Sequence, residues 1–296
     1  LTIGDGGKVI VWADDINRFY GNIRSTGGTA GGDGGFIEVS GKNFLEYKGN
    51  VDLTSYYGEL GTLLLDPANV NIENGGVSSV AGVDEFGDSD FSGTSIDANI
   101  INEEAANVTI RANNDITVDE AINLTTSGAT LTLHAGRSVL INQNITTTNG
   151  NLTLIANETT TNGALRRRST GTAVITLASG TTINIGTGAF NASMDTGAGK
   201  DNRNSGDITL SNVTAGSLVV DNGGNTSGSD ILDNGVLTIA GTSSFTTSVS
   251  NADITLDSAN AFTGAVTINT TGTTANALID NGTTALNIAA SSVGGN

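Results

Sequence analysis

Few residues in this sequence have the types and spacing to do chemistry. His134 is the single histidine, and there is no cysteine. A Ser-His-Asp or Cys-His unit would therefore rest on one base with no thiol, and zinc sites need three or four ligands drawn mainly from His and Cys. Asp14-Asp15 and Asp119-Glu120 are the adjacent acid pairs beside a candidate strand, and carbohydrate cleavage uses paired carboxyl groups aimed at one bond. A 23-residue offset puts Asp119 against Asn142 and Glu120 against Gln143, which makes a polar stripe and not a focused acid-base pair. Arg166-Arg167-Arg168 is the one basic cluster. It fits an acidic or sulfated glycan, a protease-sensitive loop, or a plain solvated face.

Calcium has two weak openings. Gly31-Gly-Asp-Gly-Gly-Phe36-Ile37 approaches the calcium nonapeptide of secreted β-rolls but has Phe36 where that repeat needs Asp, so its glycines read as tight corners. Residues 74–106 hold Asp84, Glu85, Asp88, Asp90, Asp97, Glu103 and Glu104 and no base. Such a stretch could gather a hard cation, yet it lacks the ligand spacing of an EF-hand loop. No cofactor is expected from these residues.

The elements that would position all of these come from a repeat. Val9 to Ile23 aligns without a gap on Ile37 to Val51, an offset of 28 residues that also superposes Phe19 on Tyr47 and Gly21 on Gly49. Self-similarity at this period marks a repeat architecture, because one coil cannot bury its apolar face alone. Further on, Val108-Thr-Ile-Arg-Ala112, Leu131-Thr-Leu-His-Ala135, Leu152-Thr-Leu-Ile-Ala156 and Ile175-Thr-Leu-Ala-Ser179 start 23, 21 and 23 residues apart. The expected inward columns are Val108, Leu131, Leu152, Ile175 and Ile110, Leu133, Leu154, Leu177. Thr109, Thr132, Thr153 and Thr176 form an outward ladder between them, and His134 faces out in one column with Arg111 and Ile155. Ile116-Thr-Val118 and Val139-Leu-Ile141 repeat at 23, with Ile183-Asn-Ile185 expected two coils beyond Val139.

The fold class is therefore all-β, a parallel β-helix (β-solenoid) in which every strand pairs with the coils above and below. At roughly 22 residues a coil it would have about 13 coils and a length on the order of 60 Å. Four stretches of one continuous solenoid follow: coils at 1–73, an acidic excursion at 74–106 with a helical turn within 96–106, regular coils at 107–204 with an Arg-rich loop near 158–169, and less regular coils at 205–296.

Composition agrees. The chain has 296 residues, 41 Gly, one Pro, 4% aromatic residues and a net charge of −18. Few large side chains leave room only for a narrow core, and the alternating β-branched runs argue against disorder. No Lys or Arg occurs between Lys48 and Arg111 or after Arg203, a surface that repels phosphate backbones and anionic lipid. Nucleic acid and membrane insertion are not expected. The lack of cysteine suits export through an oxidising compartment, and ten Asn-X-Ser/Thr sequons follow from the richness in Asn and Thr. A start at Leu1 and an uncapped final coil suggest a segment of something longer.

Residues 6–14 (Gly-Gly-Lys-Val-Ile-Val-Trp-Ala-Asp), 18–21 (Arg-Phe-Tyr-Gly), 31–42 and 61–67 (Gly-Thr-Leu-Leu-Leu-Asp-Pro) resemble a stretch of the filamentous-haemagglutinin-like large exoproteins. Asn113 to Val118, Leu131 to Gly136 and Ile254 to Ile268 resemble coil repeats of those proteins, the last also those of autotransporter passengers. The resemblance implies a right-handed β-helix and export by two-partner secretion through an outer-membrane partner. It also implies display at the bacterial surface for adhesion, aggregation or biofilm, toward a host-cell or matrix glycan or protein. It brings no catalytic residues. The expectation is a secreted, non-enzymatic β-helical shaft. The rival readings are a filament subunit that self-associates end to end and a polysaccharide-active β-helix enzyme.

Overall fold

The computed structural model describes residues 2–42, 44–75, 94–159 and 168–296. The 28-residue repeat is one turn of a parallel β-solenoid. Val9 pairs with Ile37, Phe19 with Tyr47 and Ile23 with Val51, all in parallel register. Three faces are built this way. The first is an eleven-stranded sheet running from Lys8–Ala13 through Phe36–Gly41, Thr62–Leu65, Asn107–Ala112, Leu131–Ala135 and Leu152–Ala156 to Ala265–Thr271 and Asn287–Ile288. The second has nine strands, among them Val70–Glu73, Ile116–Val118, Val139–Ile141 and Ala173–Leu177. The third has six, from Ile122–Leu124 to Ala261–Phe262. Two short ladders, Ile16–Phe19 on Phe44–Tyr47 and Asn22–Arg24 on Asn50–Asp52, complete the first coils.

Alternation along each strand makes the core. Val108, Ile110, Leu131, Leu133, Leu152 and Leu154 are buried, while Thr109, Thr132 and Thr153 lie between them on the outer side. Parallel stacking puts like on like, so one apolar column needs only Val, Ile and Leu to fill a narrow interior. Aromatic rings enter where a coil leaves more room: Phe190 takes the place above Leu152, and Phe245 meets Phe262 edge to face at 5.7 Å.

Corners are closed by Asn and Asp side chains that accept a backbone N–H from the next coil. Asp207, Asp230, Asp253 and Asn276 accept from residues 230, 253, 276 and 296 at 2.9, 2.8, 2.7 and 3.0 Å. Asn107, Asn144 and Asn151 do the same for Thr130, Thr182 and Ala189. Each such bond satisfies a backbone donor that leaves the ladder at the bend. Where backbones approach more closely only glycine fits: a Cβ on Gly150 would stand 1.7 Å from the Ala129 carbonyl oxygen.

The register differs from expectation after Leu152. Ile175 does not continue the column of Val108 and Leu131; it pairs with Val139 on the second face, and Phe190 and Ala192 take the places above Leu152 and Leu154. Thr176 accordingly stacks on Leu140, and the outward Thr ladder continues into Asn191. Ile183 stacks on Ile145 of the third face, one coil on. The cause is length. The coil from Leu152 to Phe190 takes 38 residues, so a motif 23 residues after Leu152 is only part of the way round. Long coils also correct the count: the first face has eleven strands, fewer than the 13 coils expected.

Residues 94–106, expected to leave the rod, are built into it. Thr94–Asp97 pairs with Val70–Glu73 on the second face, and a helix, Ala98–Glu103, packs against Ile122–Leu124 of the third. Asp97 caps it by accepting from the Asn99 amide at 2.9 Å. Asp84, Glu85, Asp88 and Asp90 lie outside the described residues.

Candidate functional site

The outer side of the first face collects the most varied set of titratable groups. Pairing sets Ser40, Arg111, His134, Ile155, Ser193 and Asp221 on one column of this face. Asp66 follows Leu65, the partner of Ile110, and so stands beside Arg111. Glu158 arrives just beyond Leu152–Ala156, and Asp195 and Lys200 just beyond Ala189–Met194.

Glu158 is the pivot. Its Oε2 lies 3.2 Å from Lys200 Nζ and its Oε1 3.8 Å from His134 Nε2. The Lys200 side chain is wholly buried, so the pair fastens residues 195–200 onto the face and does not offer a cation to solvent. His134 Nε2 is enclosed and has no hydrogen-bond partner among the described residues. Burial lowers the pKa of His134, with Arg111 and Lys200 acting in the same direction and Glu158 and Asp195 against it. Asp66 is pushed the other way: burial raises its pKa while Arg111 draws it down. Chemically the group holds an enclosed ion pair of Lys200 with Glu158 beside His134.

Sequence reasoning placed His134 correctly beside Arg111 and Ile155 but did not find the cluster. Glu158, Asp195 and Lys200 follow coils of unequal length, so no fixed spacing announces them. The 38-residue coil is the one signal that could have done so.

Of the Arg cluster, Arg168 lies within the described residues. Arg166 and Arg167 lie outside the described residues. Arg168 turns inward and is 5% exposed. Its guanidinium donates to Asn157 Oδ1 at 2.6 Å and to the carbonyls of Gly136, Gly171 and Asn204 at 3.1, 3.2 and 3.0 Å. Burial and the neighbouring Arg137 bring its pKa down to about 10, with Asp115 opposing. It is a bracket between coils, with four acceptors already engaged. Arg137 forms a similar bracket through Asp115, donating from Nε to Oδ1 at 2.8 Å and pairing through Nη2 with Oδ2.

The other sequence candidates scatter. Asn142 Nδ2 donates to Asp119 at 2.7 Å on an exposed edge, as a polar stripe would. Asp14 and Asp15 are exposed at the corner between Lys8–Ala13 and Ile16–Phe19. Asp33 acts at a corner as well: its amide donates to Asp5 at 2.9 Å and its carboxylate accepts from Glu59 N at 2.9 Å. Gly4 to Gly7 and Arg24 to Thr29 line an open cleft of about 450 Å³ in the same coil. Among the described residues no three His, Cys, Asp or Glu side chains converge where they could hold a metal ion. No helix among them is long and apolar enough to cross a membrane. Two of the ten sequon asparagines, Asn157 and Asn281, are buried at 0% and 7% exposure.

A family described as repeats of unknown function (DUF5649) matches residues 196–269. That stretch spans the Asp207, Asp230 and Asp253 ladder and the coils around it. No curated protein sequence matches the chain.

Proposed function

We propose that this chain is a non-enzymatic β-helical shaft of a secreted bacterial surface exoprotein acting in adhesion, aggregation or biofilm. The observation that carries the reading is the first face, in which eleven strands follow one another in parallel pairing from Lys8 to Ile288. Ten stacking steps of about 4.8 Å set the two ends of that face on the order of 48 Å apart. Between them Asp207, Asp230, Asp253 and Asn276 close corners, and Arg137 and Arg168 bracket coils. The family match to repeats is consistent with such a part. The acidic surface would keep neighbouring shafts apart, and the resemblance to the large exoproteins supplies the route through an outer-membrane partner and the adhesive setting.

The test is made on intact cells of the producing bacterium. Antibodies to the shaft should label the surface, and loss of the gene should reduce attachment or aggregation. Purified chain should release no new reducing or unsaturated ends from a panel of acidic and neutral glycans. Turnover on any of them would favour the polysaccharide-active reading, and absence from the surface would end the shaft reading.

A further inference from the structure

The stack is spliced at one level. The ladders Ile16–Phe19 on Phe44–Tyr47 and Asn22–Arg24 on Asn50–Asp52 stop there, and the second and third faces begin beyond it. Among the described residues only the first face runs through, from Phe36–Gly41 to Thr62–Leu65 to Asn107–Ala112. Elsewhere an extra layer is inserted: Thr94–Asp97 on one side and the helix Ala98–Glu103 on another. Across it the ladder is reduced: Leu45 N donates to the Thr94 side chain, Oγ1 at 3.0 Å, and the backbones meet at a single parallel bridge of Asp52 with Ala105, where Leu53 N donates to the Ala105 carbonyl at 3.3 Å.

Glu104 sits in the middle of this layer at 1% exposure. Its Oε1 accepts from Tyr47 Oη at 2.7 Å and its Oε2 from Val51 N at 2.9 Å. The carboxyl group thus occupies the place of the next coil's backbone above Val51. No cation meets it. Arg24 is paired with Asp52 at 3.1 Å, and Glu46 of the Tyr47 strand is engaged with Lys48, Arg18 and Tyr20. Ile122–Leu124 carries no titratable group, and Glu103 adds a like charge. Burial raises the Glu104 pKa to about 7, against the pull of the Tyr47 and Val51 hydrogen bonds.

We propose that the splice is a proton-controlled joint: ionisation of the enclosed Glu104 favours opening, in which water takes over from Tyr47 and Val51 and residues 44–53 and 94–106 separate locally while the coils beyond stay stacked. A buried carboxylate facing only neutral donors is costly to hold, whereas the carboxylic acid is not. Opening admits water to the charge. The inserted layer is the place for it, because among the described residues one side of the coil has no strand pairing across it and another has a single bridge, where other coils have continuous ladders. The joint follows from the stacking and does not depend on the shaft reading.

Hydrogen exchange of the full chain tests it, with peptides from residues 237–250, which carry no titratable side chain, as the reference for intrinsic rates in the same molecule. Relative to that reference, exchange at residues 44–53 should rise about tenfold between pH 6 and pH 8, from the linkage of one carboxyl group titrating near 7 in the closed form and near its ordinary value in the open one. Glu104→Gln should abolish the rise. Tyr47→Phe, which keeps the ring and removes one donor to the carboxylate, should move the pH at which the rise levels off upward. A flat ratio in the unaltered protein, a rise that persists in Glu104→Gln, or a levelling-off unmoved in Tyr47→Phe would each overturn the proposal.

Discussion

The rings of Phe19 and Tyr47 stack with centroids 5.6 Å apart and planes 11° from parallel, one coil lying on the next. Their backbones are partners in a parallel ladder, so the 28-residue spacing between them is the path length of one coil. A solenoid of this kind is held by repeated small contacts, and its stability is close to a sum of coils and the interfaces between them. Substitutions should therefore act locally and according to the direction of the side chain.

Leu133 is wholly buried, and Thr132 beside it faces outward, partly exposed. Leu133→Asp puts an unpaired charge in the narrow core and should cost roughly 3–5 kcal/mol or prevent folding. Thr132→Asp should stay within about 0.5 kcal/mol. Urea denaturation of both variants checks this, and equal losses would reverse the assignment of inner and outer sides.

Asp230 stands between Asp207 and Asp253 in the corner ladder, and burial together with those two carboxylates raises its pKa. Asn276 performs the same task one coil beyond Asp253 without a charge. Asp230→Asn keeps the acceptor for the Asp253 amide and removes two repulsions, so it should stabilise the protein by about 0.5 kcal/mol at neutral pH. The gain should vanish below pH 3, where the carboxylates are protonated, and a loss of stability at pH 7 would contradict the ladder as drawn.

Arg168 should behave as a core residue despite its charge. Arg168→Met removes the donors that serve Asn157 and three backbone carbonyls, leaving buried acceptors unpaired at a cost of roughly 3 kcal/mol. Calorimetric melting measures it. A change of less than 1 °C in Tm would mean that the guanidinium is free for ligands after all.

His134 predicts a slope with pH. Its folded pKa lies below the ordinary value of 6.5, with burial the main cause. The unfolded chain therefore binds the proton more readily, so this group's contribution is intact above pH 6.5 and is lost as pH falls below it. His134→Asn should flatten that part of the stability profile between pH 7 and pH 5, and a variant that keeps the whole slope would assign it to other groups.

Much of this was legible in the sequence because stacked coils repeat their chemistry. The pairings of Val9 with Ile37 and Val108 with Leu131, the outward Thr109, Thr132 and Thr153, and the short helix near Ala98 all follow from alternation and spacing. Ile175 and Ile183 were misplaced by the same logic, since Val-Thr-Ile-like triplets occur on all three faces and only coil length tells them apart. The His134, Glu158 and Lys200 cluster and the Glu104 contact were hidden for a related reason. Their partners come from irregular coils, where sequence distance carries no register.

The shaft reading is tested most directly by removing one coil. Deleting residues 243–265 takes out one strand from each face and lets Val266 and Ala277 inherit the places of Ser243 and Ile254. The Asp ladder closes again with Asn276 under Asp230. In the full-length protein on its producing cell, the account predicts a folded, displayed molecule with undiminished adhesion, shorter by about 5 Å. A molecule that folds and reaches the surface but no longer adheres would place the activity in the coil itself and contradict a shaft.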